Sequence, residues 1–386
     1  MDDEKTIYTP DGTPIYWLER DVYSFIDKTT LIFGGSQSGK TTIIEEILYF
    51  CKDYIPNYIV IAPKTSDHVY RKKLPSVCIK DDLSKEVLEK IWRRQYYLTQ
   101  IYNTANDNEN LKRLFNKAPD PKICIMIKSI IQSADKHISE ITQNNHLNYA
   151  QKRSQITHIE DLRNKNLKRL YKQSIRQNRS TLEKYDLDDQ LRTVLEYLDF
   201  NPRLMLIIDD CSEKFPVWMK YYKKNETNPF NSIFYRGRWN HITLVFAAHD
   251  DKVVPPELRK NALMVFFTTS NALIASLNKT QSGYNAQEKQ YATKISTTVF
   301  SNNANVRTHQ KLCYKRELNP PFRYIIANLY PEFKIGCIPL QELADKIPKN
   351  EITLQDNPYV QMAKNNKNRR STKTISISHP RKTKFD

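Results

Sequence analysis

Between Gly34 and Thr41 the chain reads G-x-x-x-x-G-K-T, inside the string "GGSQSGKTT". Those residue types at that spacing suit one task, holding a chain of phosphates. A backbone that wraps a phosphate must turn successive N–H groups inward, and Gly34, Gly35 and Gly39 remove the side chains that would obstruct it. Lys40 is placed to neutralise the β- and γ-phosphates, and the Thr41 hydroxyl to hold Mg²⁺. The nucleotide-holding loop is therefore expected to comprise Gly34, Gly35, Ser36, Gln37, Ser38, Gly39, Lys40, Thr41 and Thr42, with ATP and Mg²⁺ as its ligands. The whole chain has seven glycines, and three stand in this loop, so the concentration there is local and not a property of the composition.

A second group of acids complements the first. In "LMLIIDDCSE" an apolar run ends on Asp209 and Asp210, which puts two carboxylates at the end of a buried strand. Asp209 is expected to bind Mg²⁺ and Asp210 to polarise the attacking water, with Glu213 as the alternative base. The competing reading makes the pair an N-cap for a following helix.

The elements around these residues follow from hydrophobic periodicity. Leu31, Ile32 and Phe33 predict a short buried strand before the loop, and Ile43, Ile44, Ile47 and Leu48 a helix after it. Further strands are predicted at 57–64, 203–209, 241–249 and 262–270, with weaker ones at 322–330 and 333–340. "TIYTPDGTPIY" at 6–16 predicts a hairpin turning at Asp11-Gly12 within an N-terminal segment 1–28. From 81 to 200 glycine is absent and charged and amide residues dominate, which predicts a helical insertion, although "KICIMIK" at 122–128 also fits a strand. Apolar strands alternating with helices imply an α/β fold, a mostly parallel sheet covered on both faces, running from 29 to 345 around the insertion. Ligands of such sheets sit at the carboxyl ends of the strands.

Composition narrows the classes. The 386 residues carry 60 Lys and Arg against 43 Asp and Glu, a net charge of +17 that suits a polyanionic partner. The six cysteines are scattered without a CxxC pair, which argues against a zinc ribbon or a disulfide scaffold. The charged start Met-Asp-Asp-Glu-Lys is no signal peptide, and no apolar run nears the roughly 20 residues of a membrane span. The expectation is a soluble intracellular protein. Residues 350–386 are polar and basic and predict a disordered tail.

Three strings in order, "GGSQSGKTT", "LIIDDCSEKF" and "FYRGRWNHITLVFAAHDDKVVPPELRKN", resemble the genome-packaging ATPases of large double-stranded DNA viruses, the poxvirus-like branch of the FtsK–HerA clan. The likeness covers about 29–64 and 203–270, not the insertion or the tail. It implies a P-loop NTPase of the RecA/ASCE-like type that forms a homo-oligomeric ring, pentameric or hexameric. Such a ring drives double-stranded DNA into a preformed capsid, docked on a capsid or portal-vertex protein in the host cytoplasm, with the virion as a further location. It gives His249 a γ-phosphate sensor role. Many members carry glutamine there, and Asp-Glu where this chain has Asp209-Asp210. An arginine finger acting on a neighbouring subunit is expected at Arg259 or Arg238, with Arg236 beside it. The sensor strand is expected between the phosphate-loop strand and the Asp209 strand.

Other P-loop classes fit less well. The chain lacks the Asn-Lys-x-Asp of guanine-specific GTPases and the Leu-Ser-Gly-Gly-Gln of ABC ATPases. A nucleotide kinase, with 163–179 as an arginine-rich lid, and a non-hydrolysing ATP-binding scaffold stand as alternatives. The segment 162–181 holds seven Lys and Arg and no acid, and as a helix it is expected to contact DNA phosphates, with Leu162, Leu167, Leu170 and Tyr171 left to pack.

Overall fold

The computed structural model describes residues 5–81, 83–211, 229–279, 282–300 and 310–336. Glu213, the second half of the 333–340 run and the basic tail lie outside these residues.

Among the described residues, eight strands gather into one sheet. After a small hairpin of β1 (Ile7–Tyr8) and β2 (Pro14–Ile15) come β3 (Thr29–Phe33), β4 (Asn57–Ile61) and β5 (Ile79–Lys80). Then follow β6 (Leu204–Asp209), β7 (Ile242–Ala248), β8 (Met264–Phe267), β9 (Gln310–Lys315) and β10 (Phe322–Ile326). The sheet order is β10-β9-β8-β3-β7-β6-β4-β5. From β8 to β5 all pairings are parallel, and β9 lies antiparallel between β8 and β10. Strands β4, β6, β7 and β8 are buried along their whole length, as continuous Ile, Leu, Val and Phe runs require when helices cover both faces. The sensor strand β7 does lie between β3 and β6.

Register sets the geometry of the site. Phe33 pairs with Ala248 of β7 and Phe267 of β8, and Asp209 pairs with Ala247. Four carboxyl ends therefore finish flush. The phosphate loop follows β3 and leads into α1 (Lys40–Cys51), whose Ile43, Ile44, Ile47 and Leu48 are buried against the sheet.

The N-terminal hairpin continues into the sheet edge. Trp17 bridges to Tyr324, and Leu18 N–H donates to the Tyr324 carbonyl, so backbone from the start of the chain covers β10.

A short helix α2 (His68–Arg71) follows β4. The insertion is helical: α3 (Lys85–Ala105), α4 (Asn108–Phe115), α5 (Pro121–Gln143), α6 (Tyr149–Gln177), α7 (Arg179–Leu182) and α8 (Asp189–Glu196). The strand alternative for 122–128 is corrected, because that run opens α5. Asp120 caps it by accepting from the N–H groups of Lys122 and Ile123, and Pro121 takes the first turn. Ile123 and Ile127, one helical turn apart, are buried, whereas Ile125 between them is 69% exposed. The alternation was chance; the helical period decided. Leu114, Phe115, Ile123, Leu170, Ile175 and Val194 belong to an apolar cluster separate from the one beneath the sheet.

Two further strand expectations change. The run at 322–330 is a strand only as far as Ile326. Phe333–Gly336 form no strand; Ile335 N–H donates to the Lys73 carbonyl and Phe333 packs under the Lys73 ammonium instead. Strand β9, "QKLCYK", was missed because only its central Leu312, Cys313 and Tyr314 are buried, too short a run to stand out.

Candidate nucleotide site

The loop between β3 and α1 is shaped by two different demands. Gly39 caps α1 at φ +93°, a left-handed conformation that glycine adopts without strain. Gly34 is needed for room, since a Cβ there would meet the Thr268 hydroxyl at 1.7 Å. The second left-handed residue of the loop is Gln37, at φ +57°. Of the three glycines, one turns the chain, one admits a neighbour, and a Cβ on the third, Gly35, would meet nothing within 4 Å. Thr268, just past the end of β8, also pairs its hydroxyl with that of Ser38 at 2.5 Å, so the loop is braced from β8.

Lys40 begins α1, and its ammonium donates to the carbonyls of Gly34 at 3.1 Å and Gly35 at 3.0 Å. It also lies 3.8 Å from Asp210 Oδ1. Thr41 and Thr42 follow on the first turn and remain partly exposed, as do Ser38 and Gly39, while Gly35, Ser36 and Gln37 form the open lip.

The two aspartates differ sharply although they are adjacent. Asp209 is 2% exposed at the tip of β6. Its Oδ2 accepts a hydrogen bond of 2.7 Å from the Tyr70 hydroxyl, and its Oδ1 is buried with no hydrogen-bond partner. Burial pushes the Asp209 carboxyl up to about 6, against the pull of the Tyr70 hydrogen bond and with a further push from the neighbouring charge of Asp210. Tyr70, fully buried on α2, is held well above its usual range by burial and by the same carboxylate. Asp210 turns out of the strand at φ +53° and is more exposed. Its Oδ1 lies 3.3 Å from His249 Nε2, immediately after β7. One carboxylate is buried and held; the other faces Lys40 and His249.

The lone buried Oδ1 of Asp209 is what a cation site would satisfy. Among the described residues no cluster of three or more His, Cys, Asp and Glu side chains could hold a metal ion alone. Mg²⁺ bound by Thr41 and Asp209 would thus draw its remaining ligands from phosphate and water, its usual habit. When bound it would supply charge to the β- and γ-phosphate oxygens.

The arginines separate. Arg259 is buried within its own chain: its guanidinium pairs with Asp251 at 2.5 Å, and Lys279 pairs with the same carboxylate. Arg236 and Arg238 are exposed, and Arg238 stacks over Trp239 at 4.6 Å. Both precede β7, at the end of the sheet away from the phosphate loop. Seven residues of strand, roughly 23 Å, separate that end from His249, so within one chain they do not reach Lys40.

Tyr70, Thr268 and the half-buried Lys311 of β9 are the site residues that sequence reading missed. None sits in a recognisable string, and only the strand register brings them in. Lys40, Asp210 and His249 meet at the carboxyl ends of β3, β6 and β7. The chain has the P-loop NTPase fold.

No family model matches the chain. Protein B354L of African swine fever virus (isolate Pig/Kenya/KEN-50/1950) is 29% identical over 370 residues, 91% of this chain and 97% of the relative. The same protein from the Tick/Malawi isolate is 28% identical over the same coverage. Among solved structures, the genome-packaging NTPase B204 of Sulfolobus turreted icosahedral virus 2, in complex with AMPPCP, aligns at a TM-score of 0.35 and 11% identity, over 78% of this chain and 99% of that one. The pCW3 conjugation coupling protein TcpA aligns at 0.35 and 12%, over 90% and 72%.

Proposed function

We propose that the chain hydrolyses ATP with Mg²⁺ and uses the energy to move double-stranded DNA, packaging a viral genome into a preformed capsid as a homo-oligomeric ring. The observation that carries the hydrolytic part is the convergence of Lys40, Asp209, Asp210 and His249 on the flush ends of three neighbouring strands. In this reading Lys40 holds the terminal phosphates and Asp210 accepts the proton of the attacking water. His249, in contact with Asp210, links that base to the γ-phosphate. Arg238, exposed and remote from its own loop, is the better candidate to act on a neighbouring subunit than the buried Arg259. DNA as the cargo is supported by the motif resemblance, the +17 charge and the basic segment 162–181, of which Arg163, Arg176 and Arg179 pair with Asp135, Asp199 and Glu183. Of the residues assigned to pack that segment, Leu170 and Tyr171 do so, whereas Leu162 is exposed. A capsid or portal-vertex protein as docking partner, in the host cytoplasm, completes the reading. Among the described residues no helix is long and apolar enough to cross a membrane.

The kinase alternative loses ground because its lid, 163–179, lies mostly inside α6, which buries Leu170, Tyr171 and Ile175 in the core of the insertion. The deciding experiment is phosphate release by the purified protein with and without duplex DNA. Stimulation by DNA is the expected result. Phosphoryl transfer to a nucleoside monophosphate without response to DNA would make it a kinase, and ATP binding without turnover a scaffold.

A further inference from the structure

Lys311 raises a question of charge. It stands near the start of β9, and because Phe267 pairs with Leu312, it projects beside the residue that follows β8. Its ammonium donates to the Thr268 carbonyl at 3.3 Å. A Cβ built on Gly39 would lie 3.3 Å from Lys311 Cε and 3.6 Å from its Nζ, with Thr42 Oγ1 at 4.0 Å. The lysine therefore reaches the N-terminus of α1, the positive end of a twelve-residue helix, where a cation is disfavoured. It is half-buried, burial lowers its pKa, and among the described residues no carboxylate forms an ion pair with it. Two lysines and a helix N-terminus thus converge on one loop. An anion relieves all three at once.

We propose that Lys311 is a second phosphate-binding cation of this site, contacting the α- or β-phosphate of the bound nucleotide. The reading rests on the nucleotide-binding role of the phosphate loop. The choice of phosphate follows from the sheet. Lys40, Asp210 and His249 meet on the β7–β6 side of β3, where the γ-phosphate must lie if Asp210 is to activate water. Lys311 approaches from the opposite, β8–β9 side, next to Gly39 and Thr42. That side faces the part of the phosphate chain that ADP retains.

The test is calorimetric titration of the full-length protein with ADP, ATP and adenosine, in wild type, Lys311→Met, Lys311→Gln and Lys311→Arg. Loss of one charge-assisted contact predicts about tenfold weaker ADP and ATP binding in the Met and Gln variants, by equal factors. Lys311→Arg should keep most of the affinity, and adenosine should bind all four proteins alike. Melting temperatures without nucleotide should not fall in the Met variant, because an unpaired cation has been removed. Wild-type affinity in both Met and Gln variants would overturn the proposal, as would a loss confined to ATP, which would mean a γ-contact. A lowered nucleotide-free melting temperature with no rescue by arginine would also overturn it, by making Lys311 a brace for the loop. Failure of the wild type to bind any nucleotide is a separate outcome: it refutes the phosphate loop itself, which Lys40→Ala measures independently.

Discussion

The carboxyl end of the sheet and the helical insertion are built by opposite rules. In the insertion the backbone and capping choices agree with the fold, although Arg94 of α3 is buried with no hydrogen-bond partner for its guanidinium among the described residues. Asp107, Asp120, Asn148 and Asp188 each cap the helix they precede, apolar residues recur at helical spacing, and no residue between 83 and 200 takes a positive φ. The sheet end breaks those rules within a few residues. Gln37 and Asp210 adopt left-handed backbone, Asp209 buries a carboxylate with one oxygen unpartnered, and Lys311 lies half-buried with no acid paired to it among the described residues. Such local cost is common where ligands are held, although Asp27 and His241, at the opposite ends of β3 and β7, take positive φ as well.

Substitutions can break that contrast. The largest effect is expected from Asp210→Asn. Asparagine tolerates the left-handed backbone at φ +53° nearly as well as aspartate, so the turn survives while the proton acceptor is lost. Single-turnover hydrolysis should slow by about 10²–10⁴, with ATP binding retained. Near-normal hydrolysis would move the base to Glu213.

In the insertion the expectation reverses. Leu114→Ala, in the middle of the second apolar cluster, should cost about 2–5 kcal/mol in denaturant unfolding. Affinity for an ATP analogue should be unchanged. A matching fall in affinity would show that the two regions are one energetic unit and end the comparison.

Asp209→Asn sharpens the contrast from the other side. Because burial raises this carboxyl from 3.8 to about 6, its folding contribution is intact below pH 4 and is lost as the pH climbs through 6. In nucleotide-free and Mg²⁺-free protein the variant should therefore gain up to about 3 kcal/mol at pH 7.5 and nothing below pH 4. The same variant should bind Mg²⁺ with ATP more weakly. Stability without a pH-dependent gain would mean that the carboxylate is satisfied in solution.

How much of this was legible before the fold was known depends on the distance over which each feature is decided. The phosphate loop was readable because its turn, its glycines and its lysine lie within nine consecutive residues and act through local backbone geometry. Strands β3, β4, β6, β7 and β8 and the helices of the insertion were readable too from their apolar runs and helical periods, whereas the place of β7 between β3 and β6 came only from the family resemblance. The ion pair of Arg259 was not legible, because a surface-looking arginine in "PPELRKN" gives no sign of the Asp251 it meets. Tyr70 meets Asp209 across 139 positions, Ser38 meets Thr268 across 230, and Lys311 reaches Gly39 from the far end of the chain. Those meetings exist only after strands pair in register, because a shift of one residue would turn each side chain to the other face. Sequence alone determined a glycine-rich loop between a buried strand and a helix, because its turn is local; the tertiary structure decided which distant side chains brace that loop and bury its carboxylate, because they meet only once strands have paired.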